Sequence, residues 1–326
     1  MGALFRPPIQ FNNVLENPSL VRDLIENNGP YYPVQRYFSN AAQYRALAGS
    51  NSPPMLIAPN FRGDWAYEEP LIEGIEPILN HRGFQEGAAE LFDAEIVQPF
   101  SVYANITWQL PFSQGNGHTD VPEFRGVNRT DYPTPLLSVM GHSRLFEAER
   151  ISIATAVAWF YKGPDGGFTY WADGPSEPPK VHEGSIYNTA LEADNERMFH
   201  RVRPVGSRQE GMLTELTLES HLEHRGEGAW RIVDGGRTLA EMRWPELRIS
   251  LSWKARVFPN HHALDLYEDH KQDLTIEEVF TRFADDLTKK GITVPECEDP
   301  VHDEALMEIL AQAYMRTPTE FEPVSA

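Results

Sequence analysis

Between about residue 95 and residue 258 the sequence breaks into short β-rich segments. They read IVQPFSVYANITWQLP, IATAVAWFYKG, GGFTYWADG, GSIYNTALEAD, GMLTELTLESHLEH, AWRIVDGGRTLAEMRW and LRISLSWKARVF, separated by Gly, Pro, Asp and Asn. β-Branched and aromatic residues suit the pleated strand, and the punctuating residues suit turns. Gly235-Gly236 reads as a hairpin turn inside the sixth segment. Many short strands punctuated in this way fold as a sandwich, a barrel or a jelly roll. The 26 prolines also argue for loops and against a mainly helical chain.

Helical patterns flank this β region. Residues 1 to about 65 read as irregular, with one short helix after Asn17-Pro18 through Leu20, Val21, Leu24 and Ile25. From Glu68 to about Phe92 apolar residues recur at three- and four-residue steps, and Gly83 and Gly87 are expected to split this stretch into two helices. Thr275-Ile-Glu-Glu278 fits a capping box ahead of the apolar stripe Val279, Phe280, Phe283 and Leu287, and Gly291 follows as a stop. A last helix is expected from Asp303 to about Tyr314. The organisation is a single domain, mainly β with flanking helices. Residues 1–94 form an N-terminal elaboration, 95–258 the core and 259–326 the C-terminal helices.

The charge excludes some partners. With 28 basic and 48 acidic residues the formal net charge is −20, which repels nucleic acid and anionic membranes. The single cysteine, Cys297, allows no intrachain disulfide. The N-terminal stretch lacks an apolar signal core, and no run is long enough to cross a bilayer. Arg6 breaks the myristoylation pattern after Gly2, and the sequons at Asn105 and Asn128 read as chance matches. A cytoplasmic protein acting on a small molecule is the expectation.

The stretch GNGHTDVPEFRG places His118 and Asp120 two residues apart. On a strand such residues share a face, so an imidazole and a carboxylate converge. A polar turn is the competing explanation. A second phrase, GSIYNTALEADNERMFHRVRPVG, runs strand-like to His200. Two imidazoles and one carboxylate on one face of a metal leave three positions open, which suits ferrous iron binding a co-substrate and dioxygen together. Zinc prefers a closed tetrahedral site or a single open position.

HTD, then WFYKGPDGGFTYW with its GG turn, then GS…FHRVRPVG resembles the core of the iron(II)- and 2-oxoglutarate-dependent dioxygenases. The resemblance covers roughly residues 95–258. It implies a double-stranded β-helix, a cupin-like jelly roll, with His118, Asp120 and His200 as the iron ligands and catalytic centre. It further implies 2-oxoglutarate as co-substrate, dioxygen, and oxidation of an unactivated C–H bond, most simply hydroxylation. The family also places an Arg after the distal His, often as R-x-S. Arg248-Ile-Ser250 matches that pattern but stands forty-eight residues beyond His200, so an insertion near 209–245 is required. Arg208 stands only eight residues on. A 2-oxoglutarate carboxylate needs a buried guanidinium fork completed by a hydroxyl, and a strand alternating Arg248, Ser250 and Ser252 offers one. Arg208 is the other candidate.

Two rival readings follow from the same residues. One is a metal-dependent cupin-type enzyme that makes no use of 2-oxoglutarate, and the other is a non-catalytic jelly-roll binding protein. Arg125 and Arg129 read as a solvated loop that could also meet an anionic substrate. Asn105, Trp108, Trp159, Tyr161, Tyr170 and Trp171 read as core or pocket wall. NHHALDLYEDH, with His261, His262 and His270, reads as an exposed loop whose spacing fits no zinc pattern. His142, His182, His221 and His224 read as structural or exposed.

Overall fold

A computed structural model describes residues 6–37, 57–206, 211–295 and 297–318. Arg208 lies outside the described residues. The strands are β1 (Ile9–Asn12), β2 (Tyr32–Pro33), β3 (Asn60–Tyr67), β4 (Glu69–Pro70), β5 (Ile96–Thr107), β6 (Glu123–Phe124), β7 (Arg150–Trp159), β8 (Phe168–Tyr170), β9 (Lys180–His182), β10 (Thr189–Ala193), β11 (His200–Val202), β12 (His221–His224), β13 (Ala229–Asp234), β14 (Arg237–Arg243) and β15 (Arg248–Phe258). The helices are α1 (Ser19–Asn27), α2 (Glu76–Leu79), α3 (Arg82–Phe92), α4 (Thr134–Ser143), α5 (His261–Glu268), α6 (Ile276–Lys289) and α7 (Glu304–Tyr314).

Among the described residues the main sheet has nine strands, ordered β1-β10-β7-β15-β5-β3-β2, with β4 beside β3 and β6 beside β7. A small antiparallel sheet, β11-β8-β9, lies apart from it. The chain alternates between the two, from β7 to β8, from β9 to β10, and from β11 to β15. That winding is a double-stranded β-helix, the jelly roll that the resemblance implied and one of the three folds that the segment pattern left open. Between β11 and β15 lies a separate three-stranded sheet, β12-β13-β14.

The two faces of the main sheet are opposite in character. On β15 the residues Ile249, Leu251, Trp253, Ala255 and Val257 alternate with Arg248, Ser250, Ser252, Lys254 and Arg256, and all ten are buried. The apolar set joins Val102, Ala104 and Ile106 of β5 and Ala154, Ala156 and Ala158 of β7 in one core. Helices α1–α3 cover this face, together with Trp230, Ile232 and Met242 of the β12–β14 sheet. The alanines leave room for α3, and Trp253 Nε1 donates to Leu79 O at 2.7 Å. The polar set faces inward to the space between the sheets.

A second core joins Leu136, Leu137 and Met140 of α4, Val279, Phe283 and Leu287 of α6, and Leu306, Leu310 and Tyr314 of α7. The Thr275 capping box forms as expected: Thr275 Oγ1 accepts from Glu278 N, and Glu278 Oε2 accepts from Thr275 N.

Four expectations are corrected. Residues 9–12, 32–33 and 60–67 are strands, not irregular chain, and β3 extends the main sheet beside β5. Residues 69–70 are strand, and α2 and α3 divide at Asn80-His81, where His81 Nδ1 caps α3 by accepting from Phe84 N. Gly83 and Gly87 therefore lie inside α3. Only His221–His224 of the GMLTELTLESHLEH segment is strand. His261–Glu268 is a helix, not a loop, capped by Asn260 Oδ1, which accepts from Ala263 N, and its Ala263, Leu264 and Tyr267 pack half-buried against Phe100 and Phe258.

Candidate metal centre

Backbone pairing assembles the centre. His118 and His200 form an isolated antiparallel bridge, with His118 N donating to His200 O at 3.0 Å and His200 N to His118 O at 2.9 Å. Their ring centroids come within 4.5 Å. β11 is held in turn by β8, where His200 pairs with Tyr170. Asp120 N donates to Asn195 O at 2.8 Å, which anchors the far end of the motif. Gly117 makes the approach possible. Its φ is +108°, and a Cβ there would lie 3.0 Å from Trp171 and 3.1 Å from Pro318.

His118, Asp120 and His200 each offer one ligand atom, and these atoms all lie within 4.8 Å of one another. His200 Nδ1 faces Met198 O at 3.0 Å. With the ring proton on Nδ1, the Nε2 lone pair is free for a metal. That Nε2 lies 3.5 Å from Asp120 Oδ1. Burial, reinforced by His200, lowers the His118 pKa to about 3. Burial disfavours the Asp120 carboxylate, but the Lys254 ammonium and His200 outweigh it and hold the pKa well below the carboxylate range. The neutral His118 ring and the ionised Asp120 are the protonation states that ligation of a divalent metal requires.

Lys254 Nζ donates to Asp120 Oδ2 at 2.5 Å and to Thr155 Oγ1 at 3.1 Å. Burial works against the ammonium, but Asp120, Tyr103 and Glu196 raise its pKa. Burial pushes the Glu196 carboxyl well above its usual range, against the pull of Arg150.

Arg248 is 1% exposed. Its Nε donates to Gly166 O at 2.6 Å and its Nη1 to Ser250 Oγ at 3.3 Å, while the buried Nη2 has no hydrogen-bond partner among the described residues. Burial lowers its pKa to about 10, opposed by Tyr161, so it stays cationic at neutral pH. The GG turn serves this side chain: Gly166 has φ +73°, and a Cβ on it would lie 2.6 Å from Arg248 Cδ. A cleft of about 510 Å³ between Tyr161–Pro164 and Gly184–Tyr187 contains none of His118, Asp120 and His200.

The other residues singled out in the sequence divide clearly. Asn105 faces inward between Ser250 and Arg62, by register on both sides. Trp159, Tyr161 and Trp171 are buried, Tyr170 is half-buried, and Trp108 packs half-buried against the main core. Arg125 Nη1 donates to Ala148 O, and Arg129 lies over Tyr67. His142 touches the motif itself, its Nε2 lying 3.2 Å from Thr119 Oγ1. His182 pairs with Thr189 Oγ1 at 2.8 Å. His221 and His224 stand beside Glu223 and Glu26 on the β12–β14 side. His270 pairs with Asp273, and His261 and His262 are exposed. Lys254 and Thr155 escaped the sequence reading. The available signal was a lysine in register with serines on a strand whose other face is wholly apolar.

No family model matches the chain, and no curated protein matches it. Solved structures do. An oxidoreductase of the 2OG-Fe(II) oxygenase family from Burkholderia pseudomallei aligns at 14% identity over 77% of this chain and 85% of its own, with a TM-score of 0.41. A prolyl hydroxylase from Trichoplax adhaerens, in complex with a hypoxia inducible factor peptide, aligns at 10% identity over 77% and 84%, TM-score 0.42. A Pseudomonas putida prolyl-4-hydroxylase aligns at 11% identity over 77% and 93%, TM-score 0.34. At these values the likeness carries no residue role into this chain.

Proposed function

We propose that this chain is a cytoplasmic iron(II)- and 2-oxoglutarate-dependent oxygenase that oxidises, most simply hydroxylates, a small organic molecule. The observation that carries this reading is the buried, unpartnered Nη2 of Arg248 on the same inner wall as Lys254, which touches the ligand cluster. A buried guanidinium with a donor left over is costly unless a ligand completes it. A carboxylate is the group that fits the fork.

The donor set suits the metal as well. His118, Asp120 and His200 would hold ferrous iron on one face and leave three positions open. Bound there with 2-oxoglutarate and dioxygen, iron supplies oxidation of an unactivated C–H bond with release of succinate and carbon dioxide. Arg248 Nη2 would bind the distal carboxylate of 2-oxoglutarate. Ser250 Oγ accepts from Arg248 and so keeps its own proton to donate to the same carboxylate. Arg248 and Ser250 are both buried, which would strengthen both contacts. No helix among the described residues is long and apolar enough to cross a membrane.

Anaerobic addition of ferrous iron, then 2-oxoglutarate, tests this by visible absorption. Chelation by the oxoacid is expected to give a weak charge-transfer band that disappears in His200→Ala. In Arg248→Ala the band should require at least roughly 30-fold more 2-oxoglutarate, the scale of losing one partner of a buried charge pair. Iron binding without a band would remove 2-oxoglutarate from the reading, and absence of iron binding would remove the enzyme.

A further inference from the structure

We propose that Lys254 is a positioning residue for the metal centre, holding one oxygen of Asp120 so that only the other is offered to the metal. The inference rests on the metal-centre reading above.

The two oxygens of Asp120 have separate surroundings. Oδ2 accepts from Lys254 Nζ at 2.5 Å, and Oδ1 lies 3.5 Å from His200 Nε2 on the ligand side. Lys254 is itself fixed. It is 8% exposed, Thr155 beside it is 1% exposed, and its Nζ donates to Thr155 Oγ1. The two residues are cross-strand partners of β15 and β7, so the register of the main sheet sets where the ammonium sits.

The consequence is a count of coordination positions. A carboxylate can bind a metal through one oxygen or through both. Two imidazoles and a one-oxygen carboxylate leave three positions of an octahedron. Two-oxygen binding by Asp120 would leave two. A co-substrate that chelates through two atoms would then fill the site and leave no position for dioxygen. A charged hydrogen bond to Oδ2 opposes that second contact, because Oδ2 would have to leave a cation in a nearly dry site to reach the metal.

The experiment uses Mn(II) alone on the full chain and measures water-proton relaxation by the bound ion, which reports its water ligands. Lys254→Met is expected to lose about a third of the inner-sphere relaxivity, three waters becoming two. Lys254→Arg keeps a cationic donor and should retain the wild-type value. Thr155→Val frees Lys254 from its anchor and should fall between wild type and Lys254→Met.

Wild-type relaxivity in Lys254→Met overturns the inference. A lysine serving only stability would lower the melting temperature and leave the relaxivity of the folded protein unchanged. Should Lys254→Met not fold, Thr155→Val decides, and an unchanged value there overturns the inference equally. If the wild type itself binds no Mn(II), the metal-centre reading falls and this inference with it. If it binds and the variants match it, only the role of Lys254 is lost.

Discussion

Glu192 is a carboxyl buried in apolar surroundings. It is 0% exposed on the apolar face of β10, and neither carboxylate oxygen has a hydrogen-bond partner among the described residues. Burial pushes its pKa up to about 9. The folded chain therefore holds a proton that the unfolded chain releases near its ordinary value of 4.5. Stability from this group is complete below that value. It declines by about 1.4 kcal/mol per pH unit as pH rises through the folded value, then levels off. Glu192→Gln cannot ionise, so its stability curve should be flatter from pH 5 to 9. The variant should be the more stable protein at pH 8.5 and no more stable than wild type at pH 5. Urea midpoints across that range check this, and parallel curves would show that Glu192 does not titrate as described. Residues of this sort are hard to see in a sequence. A glutamate in TALEAD looks like a solvent position until Gly87 of α3, whose added Cβ would sit 2.2 Å from Glu192 Oε2, is found above it.

At the scale of elements, legibility followed locality. The His118–Asp120 pair was visible because two residues on three positions carry the pattern. β15 was visible because alternation along one strand needs no partner. β3, on the far side of β5, has a similar alternation, Phe61 and Trp65 buried against Asn60, Arg62 and Asp64, but it follows a proline-rich stretch that masks it. α5 reads as a loop in the sequence because its apolar stripe, Ala263, Leu264 and Tyr267, is short and set among His, Asp and Glu. Lys254 was missed because its partner Asp120 is 134 residues away. The GG turn shows how an element serves the site. Gly166→Ala puts a side chain at φ +73°, where strain costs about 1–3 kcal/mol, and sets its Cβ against Arg248. Displacing Arg248 should weaken 2-oxoglutarate binding about tenfold, or ~1.4 kcal/mol, while Mn(II) affinity stays at the wild-type value. Calorimetric titration of each ligand separates the two. A parallel loss of both would mean that the turn supports the whole inner wall rather than Arg248.

The molecule as a whole separates its charges. The chain carries a formal −20, yet the inner wall of β15 holds Arg248, Lys254 and Arg256. Lys254 is paired with Asp120, and Arg256 with Glu68 and Glu123, so Arg248 is the cation of this wall with a donor left for an anion that the net charge would repel at a distance. The helical core bears on the same interior. α7 packs with α6 on α4, and α4 carries His142, whose ring meets Thr119 between His118 and Asp120. Arg316 N, just beyond α7, donates to the other nitrogen of that ring. A molecule connected in this way should unfold as one unit. Leu310→Ala tests it far from the metal. Leu310 is 0% exposed in the helical core, and its truncation should cost about 2–5 kcal/mol through lost burial and a cavity. Calorimetry is expected to show one transition at lower temperature, raised again by Mn(II), because a ligand of the folded state stabilises everything that unfolds with it. Two transitions, with only one responding to Mn(II), would mean that the helices unfold on their own. The contacts through His142 would then bind the core to the jelly roll too weakly to couple them.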